Sequence, residues 1–297
     1  MKKLMMKRIL VAIDFLESSR LSLDYAVAFA HHFKAKVILL HAVELSSPAE
    51  EAEAVSGRPS LSRIVAEERL EAFASGVRRS GLEVETLVHD GTPCQVILDE
   101  VKTNEPDLLV LGVHGIHRGV DHLLIGSNTE KILLTVSCPT LSVGAHVFGG
   151  VDLDLKLNEI LYCSDLTPEA ASAGSYALLL AKEFSVPVDI CHLASPPLDK
   201  NPKFAQQAAE NYCVALRRLM PEAADLWCTP AFHLEHGLSV EQILKRAEQE
   251  TSGLIVLSVQ GVTRLNRHLH TSFAYKLLTK AVCPVLSIRQ GKTIVEE

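Results

Sequence analysis

The sequence predicts an α/β protein made of two tandem open parallel five-stranded sheets, each flanked by helices. Three observations predict it. The chain is one unit written twice, short apolar strands alternate with amphipathic helices inside each unit, and the composition suits a large core. Of the 297 residues, 47% are hydrophobic and 22% charged, the balance of an ordered globular chain rather than a disordered one. At roughly 150 residues per domain, this length allows about two domains, and each is long enough to bury its own core.

The repeat is legible by eye, and repeats are sought first because they decide the architecture. Arg8–Asp14 (RILVAID) recurs as Glu159–Asp165 (EILYCSD), and Val37–Val43 (VILLHAV) as Val188–Ala194 (VDICHLA), both 151 residues later. HDG at His89–Gly91 meets EHG at Glu235–Gly237, and LLVLGVHG meets LIVLSVQG, at an offset of 146. CPTLSV at Cys138 meets CPVLSI at Cys283, 145 residues later. A drift this small is what loop insertions and deletions produce. The boundary falls near Gly149–Asp154, which gives domains at 1–150 and 151–297.

Each element has its own reason. RILVAID is strand-length, apolar and rich in branched residues. Ser18 or Ser19 can cap the helix that follows by accepting an orphan backbone N–H. Tyr25, Phe29 and Phe33 recur every four residues, so they share a helix face. VILLHAV is a second strand, and the polar SSPAEEAEAVSGRPS connection, with its Pro and Gly, is a loop. Ser60–Arg79 reads as an amphipathic helix. LEVETLVHDG alternates, as a strand nearer a sheet edge does. Pro93 suits a helix start, where its missing N–H would be unpaired anyway. DLLVLGV is a near-continuous apolar run, the mark of a parallel strand covered on both faces. A helix over Glu130–Val136 and the strand TLSVGA close the unit. Alternating strands and helices imply right-handed crossovers and a parallel sheet. Ligands of such sheets bind beyond the carboxyl ends of the strands, where strand order reverses.

The residues at those ends carry phosphate chemistry. The first strand ends in Ala12-Ile13-Asp14. The fourth runs into Gly112-Val113-His114-Gly115 and, after IHRGVDHLLI, into Gly126-Ser127-Asn128-Thr129. Glycines let backbone approach an anion without Cβ interference. Successive N–H groups and a helix N-terminus supply positive partial charge. Ser127 and Thr129 can donate hydroxyls, Arg118 can add a full charge, and Asp14 can accept from an amine or hydroxyl. Together they point to a phosphorylated, nucleotide-like ligand. Two plainer readings stand beside this one: Asp14 caps the following helix, and the glycine segment is only a turn.

The half-chain pattern resembles the universal stress protein family, and the duplication resembles its tandem-domain members, over about residues 6–146 and 157–290. Gly112-x2-Gly115 and Gly126-Ser127 carry the resemblance to the family's Gly-x2-Gly-x9-Gly-Ser/Thr pattern, with ten residues rather than nine between Gly115 and Gly126. The resemblance implies an adenine nucleotide alpha hydrolase-like, Rossmann-like fold. It also implies ATP or another adenine nucleotide as ligand, with Mg as companion left open. Asp14 would hold the adenine or its neighbourhood, Ala12 and Ile13 would line that pocket, and Ala42 would offer backbone contacts to the base. Gly112, Gly115, Gly126, Ser127, Asn128 and Thr129 would cradle ribose and phosphates. The second half keeps Asp165 and Gly261 but has Ser258 and Thr271 where the family has glycines. Their Cβ atoms would crowd a phosphate, so this half is expected to bind nucleotide poorly or not at all. It would instead pack on the first as a covalent pseudo-dimer, through the last strands at about Thr140–Val143 and Val285–Ile288. A homodimer of whole chains stays open.

Other chemistries fit less well. The net charge of −7 argues against a broad nucleic-acid footprint. No run of about 18 apolar residues is present, against a membrane span. Lys7 and Arg8 interrupt the N-terminal apolar run, and Asp14 ends it, against a signal peptide, so a cytosolic protein is expected. The seven cysteines are odd in number and form no C-x-x-C pair, against a disulfide framework or a cysteine-rich zinc site. His114, His117 and His122 lack metal-ligand spacing, and the basic loop with Arg264, Arg267, His268 and His270 reads as solvated. No G-x-S-x-G elbow appears, and no Walker lysine follows the glycines, so at most slow ATP hydrolysis is expected. No catalytic residue and no metal ligand is assigned. The leading expectation is a stress-response protein whose nucleotide state alters docking to a protein partner, with the loop at 45–60 as switch. The alternatives are an interaction scaffold that binds no nucleotide, and a weak ATP hydrolase.

Overall fold

The structure is a computed structural model that describes residues 3–45, 59–113, 116–117, 123–124, 127–147, 155, 157–164, 168–192, 211, 214, 231–233, 240–249, 253–259, 273–289 and 295–296. In the first half the strands are β1 (Lys3–Leu4), β2 (Arg8–Ala12), β3 (Lys36–Val43), β4 (Val84–Asp90), β5 (Leu108–Val113), β6 (Ile116–His117), β7 (Leu123–Leu124) and β8 (Thr140–Gly144). Its helices are α1 (Glu17–Phe33), α2 (Leu61–Arg79), α3 (Pro93–Asn104) and α4 (Ser127–Thr135). The second half carries β9 (Ile160–Ser164), α5 (Pro168–Phe184), β10 (Val188–His192), β11 (Ala231–His233), α6 (Val240–Gln249), β12 (Leu254–Ser258), α7 (Phe273–Lys280), β13 (Val285–Ile288) and β14 (Val295–Glu296).

The two halves share one ten-stranded sheet, ordered β11-β10-β9-β12-β13-β8-β5-β2-β3-β4. In this sheet the pairing is parallel within each half. At the junction β13 meets β8 antiparallel, with Val285 opposite Ser142, Leu286 opposite Leu141 and Ser287 opposite Thr140. The last strands of the repeats are thus the ones that join. The alternating strand β4 lies at the sheet edge, as its pattern predicts.

The central strands are apolar on both sides because helices cover both faces. In β5, Leu108 and Val110 pack into the core beneath α1 and α2, while Leu109 and Leu111 pack toward α3 and α4. Helix α2 meets the sheet through Ala66, Leu70, Ala74 and Val77, one face of a 3.6-residue period. Its cap is Ser60, whose Oγ accepts from the Arg63 N–H at 3.1 Å. Pro93 opens α3. Helix α4 begins three residues earlier than its apolar pattern indicates, at Ser127.

The cap of α1 differs from the expectation. The helix starts at Glu17 with Leu16 at the N-cap, and no side chain there accepts a helix N–H. The Asp14 carboxylate takes the Leu16 N–H instead, at 2.9 Å. Ser19 then lies inside the first turn, where its Oγ accepts from the Asp14 N–H at 3.0 Å and donates to the Asp14 carboxylate.

Candidate functional site

Within the first half the strand order reverses between β2 and β5, since the chain builds β3 and β4 on one side of β2 and β5 and β8 on the other. A cavity of about 220 Å³ opens at this point, over the carboxyl ends of β2, β3 and β5 and between α3 and α4. Ala12, Ile13, Asp14, Ala42, Gly112, Asn128 and Thr129 all line it. Seven of the ten positions singled out in the sequence therefore come together. Of the other three, Ser127 opens α4, and Gly115 and Gly126 lie outside the described residues. So do Arg118, the 46–58 part of the connecting loop, and Asp165, Gly261 and Thr271 of the second half.

Leu40, Ile97, Leu111 and Ile132 supply an apolar wall, and Pro93, Ser19 and His41 complete the lining. Sequence reading missed Ile97 and Ile132 as site residues. Both follow the periodicity of buried helix positions, and only the meeting of α3 with α4 above the sheet turns them toward a cavity. Two alanines, Ala12 and Ala42, keep the strand ends low and leave the space open.

The polar groups are held in place by their own bonds. Asp14 is exposed and anchored by Ser19 and the Leu16 N–H, which fixes the turn into α1 while one edge of the cavity runs along it. His41 Nδ1 stands 2.7 Å from the Ile13 carbonyl. A carbonyl only accepts, so Nδ1 carries the proton. Burial pushes the His41 pKa below its ordinary value of 6.5, against the pull of the Ile13 carbonyl; the charge of Arg69 lowers it further and that of Asp14 raises it. The neutral ring therefore locks the Ile13 peptide, and with it the backbone that presents Asp14.

Phe15, next in sequence, adopts a left-handed φ of 64°, uncommon for a bulky residue. Its ring is tilted on His41 at a centroid distance of 4.3 Å, with the Arg69 guanidinium over it at 4.1 Å and Phe73 at its edge. This stack over-determines the turn at the end of β2, the condition under which local strain persists.

Gly112 answers to packing as well as to the cavity. A Cβ there would stand 2.9 Å from Ser18 Oγ and 3.0 Å from the Ser18 backbone carbon. Glycine thus lets the first turn of α1 sit against the end of β5.

Among the described residues the thiols are packed into the core rather than presented to the cavity. Cys94, Cys138, Cys163, Cys191 and Cys283 are buried. Burial pushes Cys163 well above the ordinary thiol value and Cys283 to about 12, so thiolate is scarce. No helix among the described residues is long and apolar enough to cross a membrane.

Universal stress protein YxiE of Bacillus subtilis is 30% identical, over 47% of this chain and 99% of its own length. A universal stress protein from Archaeoglobus fulgidus superposes on 96% of this chain and 98% of its own, with a TM-score of 0.71 and 18% identity. A universal stress protein solved in complex with cAMP matches 47% of this chain and 97% of its own, at 23% identity and a TM-score of 0.33. The universal stress protein family model matches residues 5–144 and again residues 156–289. With both halves matched and the sheet continuous through them, the chain belongs to the universal stress protein family.

Proposed function

We propose that residues 1–150 form a domain that binds ATP or a related adenine nucleotide, and that residues 151–297 form a second domain that serves as its covalent pseudo-dimer partner. The protein would act in the cytosol, as a stress-response component whose ligand state alters docking to a protein partner. The observation that carries this reading is the convergence of Ala12, Ile13, Asp14, Ala42, Gly112, Asn128 and Thr129 on one cavity at the switch point of the sheet. At about 220 Å³ the cavity is smaller than the roughly 300–1,000 Å³ clefts that hold drug-sized ligands. It suits the base and sugar, with the phosphates running out toward the N-terminus of α4, where backbone N–H groups favour an anion.

In this arrangement the apolar wall of Leu40, Ile97, Leu111 and Ile132 packs the base, and Asp14 accepts from an amine or hydroxyl at the rim. Asn128 and Thr129, with Ser127 and the glycines Gly115 and Gly126, cradle ribose and phosphates. Residues of the first half bind and orient; none is assigned to bond cleavage. Ser258, at the end of β12, supports the reading of the second half as the one that lost its glycine loop.

Titration calorimetry with ATP on the full chain tests this, alongside Ala42→Trp, whose indole fills the space between the β3 end and α3. Wild-type protein is expected to take up about one nucleotide per chain. The variant should give no binding heat and an unchanged far-UV spectrum. An absence of heat with wild type, or equal affinity in the variant, overturns the assignment.

A further inference from the structure

Helix α4 faces two ways. Asn128, Thr129 and Ile132 line the cavity, while Leu133 and Leu134 are buried in a core that contains Leu277, Leu278 and Val285 of the second half. The carbonyl of its last residue, Thr135, accepts a hydrogen bond from Nη1 of Arg289, the residue that follows β13. The final carbonyls of a helix have no partner inside it and carry partial negative charge, so a guanidinium suits this end.

The repeat shows that this cation is not a generic feature of the junction. The position equivalent to Arg289, 145 residues earlier, is Gly144. A Cβ on Gly144 would come within 3.1 Å of the Leu278 carbonyl, near the end of α7. Each half therefore places the end of its last strand against the closing turn of the other half's helix. The helix that borders the cavity meets an arginine there, and its counterpart meets a glycine.

We propose that the second half acts on the first-half cavity through α4, with Arg289 as a positioning residue that fixes where Asn128 and Thr129 stand. This rests on the nucleotide reading of that cavity. The transmitting element is short and rigid, nine residues or about 13 Å at 1.5 Å per residue, with its sides packed in two cores. An anion at its N-terminus and a cation at its C-terminus act on the same dipole in the same sense. The coupling is reciprocal: loosening Arg289 weakens the ligand, and the ligand tightens the contact between the halves. This gives the tandem arrangement a function at the pocket that the second half need not perform by binding ligand itself.

Arg289→Ala and Arg289→Lys in the full chain test the proposal by two readouts, ATP calorimetry and amide hydrogen exchange. Arg289→Ala is expected to bind ATP about three- to tenfold more weakly, the range set by a helix-terminal charge with one charge-assisted hydrogen bond. Arg289→Lys should recover most of the loss. Exchange in Arg289→Ala should quicken at α4 amides and stay unchanged in α3. Equal ATP affinity in wild type and Arg289→Ala overturns the proposal, as does faster exchange spread over the whole chain or failure of lysine to rescue. Normal α4 exchange in Arg289→Ala with intact wild-type binding overturns the role of Arg289 alone. Wild-type protein that binds no ATP overturns the nucleotide reading, and the coupling to ligand falls with it.

Discussion

At the scale of single residues, the site is built from groups that serve the fold and the cavity at once. Gly112 borders the cavity, yet a Cβ on it would stand 3.0 Å from the Ser18 backbone carbon. Gly112→Ala would meet the Ser18 hydroxyl at 2.9 Å, which a new rotamer can relieve, and the Ser18 backbone at 3.0 Å, which only a shift of the first turn of α1 can relieve. The expected cost is about 1–3 kcal/mol, the range of overpacking, read as a lower urea midpoint at unchanged slope. A stability equal to wild type with only ligand affinity lost would assign the glycine to the ligand alone. His41 makes a second prediction. Its pKa lies below the ordinary 6.5 in the folded chain, chiefly because it is buried. Between 6.5 and that lower value the unfolded chain binds more protons than the folded one, so stability rises with pH through this window and falls as pH drops through it. Denaturation at pH 7.5 and 5.5 should show a smaller loss in His41→Gln, which cannot titrate, than in wild type. Parallel losses in both would place the acid sensitivity elsewhere.

At the scale of elements, the sequence is most readable where one physical cause dominates. The apolar runs of β2, β3 and β5 announce strands covered on both faces, and the alternation of β4 announces an edge; both follow from periodicity alone. Pro93 and Ser60 mark the starts of α3 and α2 because each solves the orphan N–H problem locally. The start of α1 is less readable, since Ser19 bonds to Asp14, five residues earlier, rather than to a helix N–H, and a hydroxyl near a helix start reads as a cap by default. The site divides the same way. Residues at strand ends, such as Asp14 and Gly112, follow from topology. Ile97 and Ile132 do not, because whether a buried helix position faces a core or a cavity depends on how α3 and α4 are spaced. The Phe15, His41 and Arg69 stack is equally silent in sequence: its members lie on a turn, a strand and a helix and meet only after the sheet has formed.

At the scale of the whole molecule, the two halves meet as equivalent surfaces about a pseudo-two-fold axis, the relation an isologous dimer contact has. Leu141 faces Leu286 across the junction strands, and the two hold equivalent places in the repeat. Phe33 of α1 stands 6.0 Å from Phe184 of α5, its own counterpart 151 residues later. Tyr25 is pushed up to about 12 by burial and by the Cys283 thiol. Tyr176, its counterpart, is raised by burial, then by Asp107 and the Cys138 thiol. Duplication has let this surface diverge: His32 meets Glu183 at 3.2 Å, an unlike pair that identical subunits could not place at self-facing positions. Because the core under α1 and α5 runs unbroken across both halves, the chain is expected to unfold as one cooperative unit, although its length would permit two. Scanning calorimetry should give one transition with calorimetric and van't Hoff enthalpies equal. Leu286→Ala, at a buried position beside the axis, removes about 2–5 kcal/mol of packing and should lower that single midpoint as a whole. If the halves were independent, the same substitution would move only a second-half transition and leave a first-half transition at its original temperature. That outcome would also deprive α4 of a fixed support, since the helix borders the cavity on one side and the second-half core on the other.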